Sequence, residues 1–406
     1  MVLLAGFRAV SHAGEPATLE RVVVVMRHGV RPPTKGADAL ASLGDSPWPS
    51  EAQWGAAPGD LTPHGAAAIR LLGADLRRRY AGAGLLPAAG SLAAKVFLWA
   101  DSADQRTRET ARALGQGLSP EEPVPYASRP AGERDPLFDA LAAGVCKLSP
   151  AEAEAALSAR RPFDTPATRA ALDRLQTILA PQACGGGTGT CLEGEEAVSA
   201  DARSVKLSGP LATASTVAED LLLEYENGLP MDRVGWGRMR REDLDLVLAA
   251  HARTSDLARR TAYVAERRGS TLARRVMALL ADRPVREDGW PDLSQRRLVV
   301  LVGHDTNLSN LAGVLGVDWR LPGQPDETAP GAMLVFERWR EPSGPVVRLA
   351  VLYQDAEQVR GLADRPAHRV DLHAGACGPG DCRLTDLAGR LSKTLAAACP
   401  DPDRAP

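Results

Sequence analysis

The stretch Arg27-His28-Gly29-Val30-Arg31-Pro32-Pro33-Thr34-Lys35 gathers side chains suited to handling an anion. Two guanidinium groups can clamp a phosphoryl group through paired N–H donors, while a neutral imidazole at His28 offers a ring nitrogen to phosphorus. Thr34 and Lys35 add donors, and Gly29 stands where the backbone must turn. A solvated basic turn would explain a lone Arg-His pair, but here each position has a part in phosphoryl transfer. Far along the chain, Gly303-His304-Asp305-Thr306-Asn307 offers a second set. His304 can donate to a phosphoryl oxygen, and Asp305 can supply the proton that an alkoxide leaving group needs. A structural reading competes: Asp305, ahead of Leu308, Asn310 and Leu311, would also cap a helix. One residue can do both. A third segment, Asp101-Ser102-Ala103-Asp104-Gln105-Arg106-Thr107-Arg108, opens a helix whose two arginines point to different faces. Only one of them can serve a site, and spacing does not choose.

All three segments follow apolar runs that read as strands. Arg21 to Met26 is β-branched and apolar on both faces, the pattern of a strand buried in a parallel sheet, and Leu298 to Val302 reads likewise. Lys95 to Ala100, Leu334 to Glu337 and Val347 to Tyr353 are further strands. In such sheets ligands bind outside the carboxyl ends of strands, which is where these residues fall. Thr62, followed by Pro63, predicts a helix start leading to about Tyr80. From about Leu148 to Arg283 strand signals nearly vanish, and Ala, Leu, Glu and Arg at helical spacing dominate. The expected architecture is therefore α/β with an α-helical insertion. Residues 14–147 and 284–406 form the discontinuous α/β domain, and 148–283 form a helical domain covering the cleft.

The 406 residues carry a net charge of -3, with 44% hydrophobic and 24% charged residues. That balance excludes a fibrous or disordered chain and lacks the positive field that holds a nucleic-acid backbone. No apolar run approaches the roughly 20 residues a membrane span needs. Met1 to Phe7 is briefly apolar, and Ser11-His12-Ala13 offers the small residues a signal peptidase reads, without a charged leading segment. The expectation is the tail of a signal peptide that begins upstream, and a periplasmic or secreted protein. Six cysteines allow roughly 15 pairings. Cys184 and Cys191 flank a glycine-rich loop, and Cys377 and Cys382 flank Gly378-Pro379-Gly380-Asp381, so both loops could close. That leaves Cys146 for Cys399. Such pairing implies an oxidising compartment, the alternative being reduced, buried thiols.

Arg-His-Gly-x-Arg-x-Pro with a distant His-Asp resembles the histidine acid phosphatases, in particular the bacterial periplasmic phytases. Leu61-Thr62-Pro63, Gly235-Trp236-Gly237-Arg238, Pro330-Gly331 and Phe336-Glu337-Arg338-Trp339 extend the resemblance over nearly the whole chain. It implies a phosphoglycerate-mutase-like α/β domain beside an α-helical domain, with substrate between them. It implies His28 as nucleophile, Arg27, Arg31, Arg106 and His304 as holders of the phosphoryl group, and Asp305 as proton donor, choosing Arg106 over Arg108. Charge on the transferring group would be met by arginines, with no cofactor or metal required. The resemblance further implies Thr34, Lys35, Glu219, His251 and Arg268 as contacts to the outer groups of the substrate. His304-Asp305-Thr306-Asn307 favours phytate, because related glucose-1-phosphatases tend to carry serine at the third place. Two positions depart from the pattern: His64 where relatives have arginine, and Thr216 where methionine is usual.

The expected function is an acid phosphomonoesterase acting on phytate as a monomer. The alternatives are a glucose-1-phosphatase or broad sugar-phosphate phosphatase, and a periplasmic phosphate-binding protein without turnover. A pure binder has no use for a nucleophile beside a carboxyl group, whose charge would weaken anion binding.

Overall fold

The computed structural model describes residues 17–285, 289–374, 377 and 382–399. The predicted signal-peptide tail and the residues beyond Cys399 lie outside them. The strands are β1 (Thr18–Arg27), β2 (Val96–Ala100), β3 (Tyr126–Ala127), β4 (Ala197–Ala200), β5 (Val205–Ser208), β6 (Leu298–Gly303), β7 (Met333–Glu341), β8 (Gly344–Tyr353), β9 (His368–Leu372) and β10 (Cys382–Arg383). Short helices α1 (Ala37–Leu40) and α2 (Glu51–Trp54) precede α3 (Pro63–Gly82) and α4 (Gln105–Leu118). Then come α5 (Pro150–Ser158), α6 (Pro166–Leu179), α7 (Pro210–Glu226), α8 (Asp243–Ala258), α9 (Ala262–Arg268) and α10 (Ser270–Leu280). The last are α11 (Asp305–Leu315), α12 (Ala356–Gly361) and α13 (Leu384–Ala398).

The main sheet runs β10-β8-β7-β1-β6-β2-β3, with β9 on β8. β1 lies parallel to β6 but antiparallel to β7. The sheet is thus mixed, where the apolar runs alone predicted parallel pairing. A strand flanked on both sides is buried on both faces whichever way its neighbours run, so composition does not report their direction. Alternation does set the faces. Val22, Val24 and Met26 pack with residues of α3 and α4, while Val23 and Val25 pack with residues of α10, α11 and α13.

The long helical stretch divides. α6, α7 and α8 share a core of their own, built on residues such as Leu175, Leu221 and Val247. α9 and α10 instead join the sheet core through Ala265, Leu272 and Val276. The stretch also holds a hairpin, β4 and β5, which the sequence reading did not anticipate. Its first strand, Ala-Val-Ser-Ala, has one β-branched residue and sits at the surface, so it leaves little strand signal. Cys146 pairs with Cys399, Cys184 with Cys191 and Cys377 with Cys382, as expected. No helix among the described residues is long and apolar enough to cross a membrane.

Candidate active site

Strand register builds the site. Arg27 stands opposite Gly303 in the parallel β1–β6 pair, and Ala100 stands opposite Val302 in β2–β6. The pairing continues one residue past the strands: the His28 N–H donates to Gly303 O (3.0 Å), and the Asp101 N–H to Val302 O (2.9 Å). Three segments far apart in sequence therefore emerge side by side. α3 backs the first of them. Thr62 Oγ1 accepts from the Gly65 N–H (2.9 Å), and the Thr62 N–H donates to Val30 O (3.0 Å). A Cβ on Gly65 would lie 2.5 Å from Val30 O, so glycine is what lets the helix approach the His28 loop this closely.

His28 is 2% exposed. Its Nδ1 lies 2.8 Å from Gly29 O; a carbonyl only accepts, so Nδ1 carries the proton and Nε2 presents a lone pair. Burial, then the cations Arg106, Arg27 and Arg31, hold this imidazole well below its usual pKa. His28 is consequently neutral in acid. The His304 ring stands edge-on to it, with centroids 5.6 Å apart. His304 Nε2 donates to Asp101 Oδ2 (2.8 Å), which orients the ring.

Arg27 is fully buried. Its Nη1 donates to Asp326 Oδ2 and Thr328 O, both at 2.7 Å, and its Nη2 donates to Glu219 Oε1. Burial alone would weaken the cation, but Asp305, Glu219 and Asp326 outweigh it and hold Arg27 charged. Arg31 Nη2 reaches the same Glu219 oxygen at 3.3 Å. Burial would raise the pKa of Glu219, yet Arg31 and Arg27 bring it down to about 2. Arg106 donates to Gly59 O (3.2 Å) and Asp104 Oδ2 (2.8 Å). Arg108 turns away to Ser102 O (2.5 Å).

Asp305 is the first residue of α11, not its cap. His304 is the cap, and Asn307 Oδ1 accepts the His304 N–H (2.8 Å). That frees the Asp305 carboxylate, which pairs with Arg259. Burial opposes ionisation, but Arg259, then Arg27 and His251, hold its pKa well below the usual carboxylate range. Oxygens of Glu219 and Asp305 and a ring nitrogen of His251 lie within 4.8 Å of one another. His251 Nδ1 donates toward Ser215 O (3.3 Å).

The structure therefore brings together His28, Arg27, Arg31, Arg106, His304, Asp305, Glu219 and His251. Thr34 and Lys35 are exposed beyond the loop, with Thr34 against Gly59. Arg268 ends α9 with its Nε 3.7 Å from Asp139, and burial and the nearby Arg259 cation lower its pKa despite Asp139. Of the departures, His64 Nε2 donates to Val359 O (2.8 Å) and Thr216 is exposed. Sequence reasoning missed the roles of Asp101, Asp326 and Arg259. Asp101 was visible as the end of a strand; Asp326 sits in a proline-rich loop and Arg259 just past α8 in an arginine-rich stretch, where neither leaves a signal. Asp101, Asp104 and His304 also cluster closely enough to hold a metal ion, as do Glu219, His251 and Asp305. In the second group both carboxylates already face arginines, whose charge opposes a cation.

The family model for the histidine phosphatase superfamily (branch 2) matches residues 18–184 and 237–352. The chain belongs to that superfamily. It is an enzyme of the histidine acid phosphatase kind, a phosphoric monoester hydrolase. Phytase AppA of Escherichia coli is 32% identical, the match covering 94% of this chain and 93% of that protein. A glucose-1-phosphatase of Salmonella typhimurium is 26% identical, with 93% and 92% covered. The Hafnia alvei phytase in complex with myo-inositol hexakis sulphate superposes with a TM-score of 0.87 at 32% identity, covering 96% of this chain and all of that one.

Proposed function

We propose that the chain is a phytase that hydrolyses myo-inositol hexakisphosphate through a phosphohistidine at His28. The observation that carries this is a buried, neutral imidazole, protonated at Nδ1 and so with its lone pair on Nε2, in the field of Arg106, Arg27 and Arg31, two of which also feel the Asp305 carboxylate. The Nε2 lone pair attacks phosphorus and the ester P–O bond breaks. Arg27, Arg31, Arg106 and His304 hold the phosphoryl oxygens, and the leaving alkoxide takes a proton from the Asp305 carboxyl group. Asp305, now ionised, takes a proton from water as that water attacks phosphorus; the N–P bond breaks, releasing phosphate and restoring both residues.

Acid favours this cycle. Burial and the nearby cations keep His28 neutral in acid, while Arg259, Arg27 and His251 hold Asp305 ionised until their charge is drawn elsewhere, and acid then makes its protonation easier. Thr34, Lys35, Glu219, His251 and Arg268 are assigned to the outer groups of the substrate, which enters between the α/β part, joined by α9 and α10, and the helical core of α6, α7 and α8. Glu219 also accepts from Arg27 and Arg31 and so aligns the two guanidinium groups. The three disulfides and the resemblance to periplasmic enzymes support an exported protein, and our reading of it is a monomer without cofactor.

The similarity to a glucose-1-phosphatase sustains a second reading, a sugar-phosphate phosphatase with the same chemistry. Wild type and His28→Ala, assayed for phosphate release in chelator at mildly acidic pH, separate the readings. Release from phytate by wild type alone is expected. Preference for glucose 1-phosphate would overturn the substrate, and undiminished activity in His28→Ala would overturn the mechanism.

A further inference from the structure

Arg259 follows the last residue of α8 and is a quarter exposed, with its guanidinium on the Asp305 carboxylate. Asp305 is faced from every side: by Arg27 of β1, Arg106 of α4, Glu219 of α7, and His251 and Arg259 at α8. These neighbours differ in freedom. Arg27 is fastened by Asp326, Thr328 and Glu219, and Arg106 by Gly59 and Asp104. Among the described residues Arg259 has one acceptor, Asp305, and it also feels the cation of Arg268. As long as the pair persists, the carboxyl group that must donate a proton is an ion.

We infer that Arg259 is a specificity-determining residue, a latch on Asp305 that a second phosphate beside the scissile one draws away. An ester with one phosphate directs its charge to Arg27, Arg31, Arg106 and His304 and offers Arg259 nothing. A neighbouring phosphate offers a dianion that a guanidinium grips with two parallel hydrogen bonds, a better partner than the shared carboxylate. Released, and facing Glu219 and the substrate's own charge, the buried Asp305 carboxylate takes a proton from solvent. Polyphosphorylated rings are thereby favoured over isolated monoesters. This inference rests on the roles proposed above for His28 and Asp305.

The test compares wild type, Arg259→Gln and Arg259→Lys on phytate and on myo-inositol 1-phosphate, with kcat/KM measured across pH. Loss of a charge-assisted contact predicts that Arg259→Gln lowers kcat/KM on phytate about tenfold. Its activity on the monophosphate rises, and the alkaline limb of that profile moves to higher pH, because a cation has left Asp305. Arg259→Lys, which keeps charge but not the fork, retains the limb and loses part of the preference, and it serves if the glutamine variant folds poorly. Equal losses on both substrates with unmoved limbs would overturn the latch. Activity surviving in His28→Ala would instead remove the mechanism beneath it.

Discussion

At the residue scale the site is a set of opposed charges held in a small buried volume. Arg27 and Arg31 share one oxygen of Glu219, so the arginines proposed to hold a phosphoryl group are aligned before it arrives. Asp305 is the least settled member, since the carboxyl group that is an ion beside Arg259 must, in the proposed cycle, be an acid beside the leaving alkoxide. Its role can be read from the leaving group. Asp305→Asn is expected to lower kcat on phytate, whose alkoxide is a poor leaving group, by about 10²-fold or more. On 4-nitrophenyl phosphate, whose phenolate needs little help, the loss should be far smaller. Equal losses on the two substrates, measured at the same acid pH, would remove Asp305 from the role of proton donor.

At the scale of elements, the His28 loop is shaped by what lies behind it. The start of α3 is tied to Val30 through Thr62, and Gly65 makes the approach sterically allowed. A methyl group there would press on backbone, which cannot swing aside as a long side chain can. Gly65→Ala is expected to destabilise the fold by about 1–3 kcal/mol and to lower kcat by shifting the loop. Gly82→Ala, at the far end of the same helix, meets nothing within 4 Å and should leave both unchanged or raise stability slightly. Thermal denaturation and kcat of the two variants decide the matter, and a harmless Gly65→Ala would show that α3 does not set the loop. Much of this was legible in sequence: Thr62 and Pro63 announced the helix, and the β-branched runs announced β1 and β6. The closeness of Gly65 to Val30 was not, because a glycine inside a helical pattern looks the same whether it faces solvent or backbone.

At the scale of the whole molecule, α7 carries an unusual load of buried acid. Glu224 accepts from the Gly235 N–H (2.9 Å), Glu226 accepts from Gln324 Nε2 (2.7 Å), and Asp220 is buried beside Glu219. Burial pushes Glu224 and Glu226 up to about 8 and raises Asp220 as well. Such groups are protonated when folded. Their contribution is therefore intact below the unfolded carboxyl pKa of about 4.3 and is lost as pH rises toward 8. Glu219, brought down to about 2, works in the opposite sense, its contribution being lost as pH falls below the ordinary carboxyl range. Stability should peak in mild acid and decline to pH about 8, each pH unit costing about 1.4 kcal/mol for one such buried group. Melting temperatures across pH test this, with Glu224→Gln expected to flatten the decline. A melting temperature that holds or climbs from mild acid to pH about 8 would contradict it. The fold thus resembles its proposed chemistry in favouring acid.

The pieces were written locally along the chain. Runs of valine and leucine specified the central strands because alternating β-branched residues fill both faces of a sheet. The clusters at their ends specified phosphoryl chemistry because few other reactions need arginines, a histidine and an acid together. How the pieces meet depends on the packing of the whole chain. It set β7 antiparallel to β1, gave α9 and α10 to the sheet core, turned Arg106 inward and Arg108 away, and moved the helix cap from Asp305 to His304. It also supplied Asp326 for Arg27, 299 positions away, and Arg259 for Asp305. Periodicity and capping are local, so they are written in short stretches of chain. A salt bridge across the fold depends on how whole layers stack, and no short stretch records that.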